Sequence, residues 1–128
     1  MTRTILKYVI PSVVLLLVGC RVAPVYNVSS APVVAAKSVT LRDVERAITR
    51  AGVGLGWQMM PRQPGKMEGV LVLRSHRAVV DITYDTAAYS IKYKDSSDLE
   101  YDGSSIHSNY NGWVQNLDKA IRAQLTAL

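Results

Sequence analysis

A chain of 128 residues holds one domain at most, and its single cysteine, without any CxxC or Cys/His pattern, excludes an internal disulfide and a structural zinc. The formal charge is +5, but without the first 19 residues, which contain Arg3 and Lys7, the balance falls to 13 basic against 10 acidic residues, a net +3. That is a mild bias, compatible with anionic lipid headgroups or a polyanionic wall; nucleic acid is not expected as a partner of an exported chain.

Met1 to Lys7 is basic and free of acids, and Tyr8 to Val18 is apolar apart from Pro11 and Ser12. This is the n-region and h-region of an export signal, shorter than the roughly 20 residues that span a bilayer. Leu17-Val18-Gly19-Cys20 closes it and resembles a bacterial lipobox. The resemblance implies cleavage between Gly19 and Cys20, a diacylglyceryl group on the sulfur and an acyl chain on the new N-terminus. A buried core thiol and a reactive thiol are the competing readings of Cys20, and the leader around it favours the anchor. Each buried methylene adds about 0.8 kcal/mol, so two or three acyl chains hold a protein to a membrane almost permanently. By resemblance to enteric sorting, Arg21 in place of an Asp implies the outer membrane, with the domain facing the periplasm. This covalent lipid is the only cofactor expected.

Arg21 to Ser38 contains Pro24, Pro32 and scattered small residues without apolar period, and reads as a flexible tether of at most about 60 Å. The expected organisation is therefore a signal peptide at 1–19, lipidated Cys and tether at 20–38, and one α+β domain at 39–128. Thr40 and Asp43 are spaced as a capping box, with Val39 and Val44 as a hydrophobic staple. Leu41, Val44, Ala47, Ile48 and Ala51 then recur at helical spacing, predicting a helix over 41–51 that stops at Gly52. Arg42, Arg46 and Arg50 form a basic stripe on its other side, read first as a solvated face and second as a stripe binding lipid headgroups or the wall.

From Leu55 to Arg62 the period changes, Trp57 and Met59 alternating with Gln58 and Met60. Pro64-Gly65 marks a turn before Met67 to Arg74. Ala78, Val80, Ile82 and Tyr84 alternate with Arg77, Val79, Asp81 and Thr83, and after Asp85-Thr86 the residues Tyr89, Ile91 and Tyr93 alternate with Ser90, Lys92 and Lys94. These are half-buried strands of an antiparallel meander with one wet face. Tyr110, Trp113, Val114, Leu117, Ile121, Leu125 and Leu128 mark a terminal helix of 15 to 18 residues, with Ser108 and Asn109 as caps. The expected architecture is a two-layer α+β sandwich: three to four antiparallel strands with both helices on one face.

YSIKY at Tyr89–Tyr93, then Ser96, Leu99, Tyr101-Asp102-Gly103, Ile106-His107 and YNGWVQNL from Tyr110 to Leu117 resemble the signature of a family of small Gram-negative lipoproteins. The leader, the proline-containing segment and Gly56-Trp57 extend the likeness over nearly the whole chain, although Asp98 stands where an Asn is expected. That family carries no established activity, so the resemblance implies location and fold only.

The residues themselves offer little chemistry. GxSxG, SxxK and HExxH are absent. Gly52-Val53-Gly54-Leu55-Gly56 follows a helix instead of a strand, unlike a nucleotide loop. Asp98-x-Glu100-x-Asp102-Gly103 begins like a calcium loop, but Asn109 at the twelfth position cannot bind bidentately, so an acidic turn is expected and no metal. Tyr93, Tyr101, His107, Tyr110, Asn111 and Trp113 are the candidate cluster. It is read first as structural, with His107 and Asn111 supplying partners for tyrosine hydroxyls, and second as a pocket for a glycan, peptide or lipid fragment. The functional expectation is a non-catalytic, lipid-anchored envelope protein binding an envelope protein or peptidoglycan. The alternative is a small periplasmic enzyme or enzyme inhibitor using His107 and nearby acids.

Overall fold

The computed structural model describes residues 21–128, so the leader, Gly19 and Cys20 lie outside the described residues. The element order is β1 (Val22–Pro24), β2 (Val28–Pro32), α1 (Leu41–Gly54), β3 (Gln58–Gln63), β4 (Lys66–Leu73), β5 (His76–Tyr84), β6 (Ala88–Ser97), β7 (Ser105–His107) and α2 (Ser108–Thr126). Five strands form one antiparallel sheet in the order β2-β6-β5-β4-β3, and β1 pairs with β7 in a separate two-stranded ribbon. The fold is α+β as the periodicity predicts, with more strands than the expected meander.

The capping box forms as spaced. Thr40 Oγ1 accepts from the Asp43 amide and Asp43 Oδ2 accepts from the Thr40 amide, which satisfies two amides that the helix leaves unpaired. These bonds hold the Asp43 carboxyl below its ordinary range, the Thr40 amide first. The helix runs past Gly52, the expected stop, to Gly54. Gly52 instead admits a neighbour: a Cβ there would collide with the Met59 side chain at Sδ. The left-handed residue that turns the chain into β3 is Gly56, at φ +88°.

The three hairpins read from alternation are present. Gly65 carries φ +79° in the β3–β4 turn, and a Cβ on it would approach the Tyr84 carbonyl oxygen to 2.9 Å. Gly65→Ala is expected to lower stability by about 2 kcal/mol in chemical denaturation, because it combines left-handed strain with a collision against backbone. Asp85 Oδ1 accepts from the Ala87 and Ala88 amides and closes the β5–β6 turn. A bulge opposite Val79 and Val80 puts Lys94 between Tyr93 and Asp95, so that Asp95 reaches Arg77 on the wet face.

The segment expected to be a tether is part of the fold. Val28 and Ala31 are buried, the first opposite Ile91 and the second opposite Tyr89. Their spacing of three hides the strand period, because Ser30 sits at φ +50° and the register shifts between them. Pro32 ends β2 at the sheet edge, where a missing amide is tolerated. The domain thus begins at its first described residues instead of at Val39.

Both helices lie against the core face, lined by Met67, Leu71, Ala78, Val80, Ile82, Tyr89 and Ile91 and covered by Val44, Ile48, Val114, Leu117 and Ile121. The outer face carries Glu68, paired with Lys94 at 2.9 Å and Arg62 at 3.5 Å, and Asp81, 3.6 Å from Lys94. The bond from Lys94 is the main cause holding the Glu68 carboxyl below its usual range.

Candidate functional site

The structure divides the six cluster residues into three groups with different tasks. Tyr93 stacks on Tyr101 with ring centroids 4.1 Å apart and meets Tyr110 edge-on at 5.6 Å. The bulge brings Ser96 onto the core side, where its hydroxyl lies 2.8 Å from that of Tyr93. Tyr101 donates to the Gly103 carbonyl and is partly exposed. Tyr110 is fully buried, and its hydroxyl has no partner among the described residues. Burial pushes the phenols of Tyr93 and Tyr110 upward.

Neither His107 nor Asn111 serves a tyrosine hydroxyl, which corrects the expectation. Asn111 clasps the N-terminal segment: its Oδ1 accepts from the Tyr26 amide and its Nδ2 donates to the Pro24 carbonyl, both at 2.9 Å. His107, not Ser108 or Asn109, is the N-cap of α2, with Nδ1 accepting from the Asn109 amide at 3.1 Å. Since the Tyr110 hydroxyl is buried without a partner, Tyr110→Phe is expected to raise stability by about 1 kcal/mol in a denaturant titration.

Trp113 belongs to a third group, with His76. The His76 ring lies 6.3 Å from Trp113 and 6.4 Å from His107, and its Nδ1 sits 2.8 Å from the Asp98 carbonyl oxygen. The Asp98 carboxylate lies 3.7 Å from the same nitrogen and accepts from Ser75 Oγ at 2.5 Å. Both described histidines therefore have their Nδ1 engaged with backbone. Asp98 and Glu100 take left-handed φ values of +60° and +54°, and Asp102 Oδ1 accepts from the Ser104 and Ser105 amides, closing a tight turn. Those amides, Ser105 first, hold the Asp102 carboxyl low. No group of three or more His, Cys, Asp or Glu among the described residues is arranged to hold a metal.

Sequence reasoning passed over the most buried charged residue. Asp118 is 7% exposed, accepts from the Tyr89 hydroxyl at 2.5 Å and meets Arg122 at 3.2 Å. Tyr84, the cross-strand partner of Tyr89, donates to Glu45 on the other helix at 3.0 Å. Two tyrosines of one hairpin thus pin α1 and α2 to the sheet. The available signal was an acid between Leu117 and Ile121, inside the apolar stripe of α2.

Arg42, Arg46 and Arg50 are exposed along α1, and none forms an ion pair among the described residues. An open groove of about 600 Å³ on the outer sheet face is bordered by Arg62, Lys66, Glu68, Asp81 and Lys94. No helix among the described residues is long and apolar enough to cross a membrane. No protein-family profile, curated protein or solved structure matches the chain.

Proposed function

We propose that this chain is a lipid-anchored lipoprotein of the outer membrane, with its domain on the periplasmic side, working by binding another envelope component. The leader and Cys20 support the anchor, and one observation above others supports a binding role: Arg42, Arg46 and Arg50 stand exposed along α1 without an ion pair among the described residues. His76, at the start of β5, and His107, the cap of α2, each use Nδ1 on a backbone group, which fixes the orientation of both rings. The unpaired arginines of α1 suit an acidic partner, an envelope protein or the peptide carboxylates of peptidoglycan.

A photo-activated cross-linker at Arg46 or at Lys92, on opposite layers, should trap a discrete partner in cells producing the lipidated chain. Reproducible absence of any product from both positions overturns the binding role. The catalytic alternative separates at His107. His107→Ala should lower the melting temperature through loss of a cap worth about 1 kcal/mol, and any loss of function should follow the loss of fold. A variant that keeps its melting temperature and loses its phenotype would favour chemistry at this residue.

A further inference from the structure

The first described residue fixes where the anchor leaves the domain. The Arg21 carbonyl accepts from the Ser108 amide at 2.7 Å, and Val22 pairs with His107, so the chain emerges at the N-terminal end of α2. Cys20 is bonded to Arg21. Two steps along the chain, at no more than about 3.6 Å each, separate Cys20 from Val22, a leash of at most about 7 Å.

The surface around that exit carries most of the exposed large apolar side chains of the described residues. Val22, Val53, Leu55, Val72 and Leu73 make up five of the seven large hydrophobic residues that are exposed among the described residues, with Val53 at 60% and Val72 at 61%. Topology gathers them at one end. Leu73 pairs with His76, which reaches Trp113 and His107, and His107 pairs with Val22. On the other side the end of α1, carrying Val53, turns through Leu55 and Gly56 into β3 beside the end of β4, where a Cβ on Gly56 would meet Leu71 at 3.9 Å. Of the other two, Val34 follows Val33, whose amide bonds to Ala87 at the β5–β6 turn, and Tyr101 stacks on Tyr93. Arg21 and Arg74 are exposed at this end and offer charge to lipid phosphates; the adjoining loop carries the exposed acids Asp98, bonded to Ser75 and beside His76, and Glu100.

We infer that this end of the domain, centred on Val22, Val53, Leu55, Val72 and Leu73, rests in the interfacial layer of the phospholipid membrane that holds the acyl chains of Cys20. The inference rests on the lipid anchor proposed above. The leash matches the roughly 5–10 Å depth to which apolar surface enters the headgroup boundary, and single apolar side chains placed there add to a bond that the acyl chains already secure. Strand β5 runs away from this end, from His76 to Tyr84, and places the Asp85-Thr86 turn about 28 Å from it, with Gly65 beside Tyr84 through the bond from the Tyr84 amide. The domain then stands upright, its basic helix and charged sheet face both open to the periplasm.

The test uses the full chain, purified with its lipid and reconstituted in phosphatidylethanolamine–phosphatidylglycerol vesicles. Acylation removes Cys20 as a thiol, so a spin label can be placed uniquely through Leu55→Cys, Leu73→Cys or Thr86→Cys. Labels at 55 and 73 should lose accessibility to a nickel chelate and gain it to oxygen, while the label at 86 stays accessible to nickel. Equal nickel accessibility at all three positions, in protein that floats with the vesicles, overturns the inference and leaves the anchor standing. An intact mass without lipid, in protein that does not float, overturns the anchor and the inference together.

Discussion

Deleting residues 21–32 is expected to unfold the domain, a loss on the order of 5 kcal/mol or more that matches the whole stability of a small protein. The segment contributes the outer strand β2 and the ribbon strand β1, and it buries Val28 and Ala31 against β6. Asn27 Oδ1 accepts from the Tyr93 amide and Asn111 holds two of its backbone groups, so removal also leaves polar groups of the core strands without partners. A single charge should report the same dependence in the intact chain. Val28→Asp places a carboxylate at a site 6% exposed and is expected to cost about 4 kcal/mol, whereas Ser29→Asp, exposed beside it, should change stability by less than about 0.5 kcal/mol. Denaturant midpoints of the two variants decide the matter. If the segment were only a leash, both substitutions and the deletion would be silent.

What could be read from the sequence was local. The capping box, both amphipathic helices and the hairpins through Pro64-Gly65 and Asp85-Thr86 depend on neighbours in the chain, and they form where their spacing predicts, with the end of α1 and the cap of α2 shifted. The strands β1 and β2 depend on partners about 60 to 85 residues away, and their period is broken by a left-handed serine, so composition alone made them a tether. A one-residue irregularity is enough to erase a period-two signal over five residues. The candidate cluster shows the same division. Its residues do come from a shared region, around the start of α2, but spacing could not say which side chain would bond to which. His107 and Asn111 were suited to tyrosine hydroxyls by chemistry and went to backbone amides by position.

This redistribution also reshapes the search for a partner. With the N-terminal segment folded, the proposed anchor would stand a few ångströms from the domain instead of tens, and the surfaces left to meet another molecule would be those beside and above that end. The arginine row of α1 and the ion-paired outer sheet differ in how ready they are for an acidic ligand. The arginines lack partners among the described residues, while Lys94 and Arg62 are already paired with Glu68 and, for Lys94, with Asp81 as well. An acidic partner would therefore displace nothing on α1.

Asp118→Ala should be the most damaging single truncation of a polar side chain, lowering stability by about 3 kcal/mol. The residue is buried, and its removal strands the hydroxyl of Tyr89, which is 1% exposed, inside the core. Asp118→Asn keeps an acceptor and should lose only about 1 kcal/mol, since the pair with the largely exposed Arg122 contributes little. The same contact has an alkaline signature. Burial first and the Asp118 bond second push the Tyr89 phenol above its ordinary value, and burial with the Glu45 bond pushes Tyr84 up to about 12. Phenols raised in the folded state ionise first in the unfolded chain, so this stabilisation is complete below about pH 10 and is lost as pH rises toward 12. Tyr84→Phe should flatten the fall in melting temperature across that window, and Asp118→Ala should reduce the part that Tyr89 contributes. A wild-type melting temperature that stays level from pH 9 to pH 12 would show that these hydroxyls do not hold the helices to the sheet, because a phenol bonded to a carboxylate cannot ionise without breaking that bond.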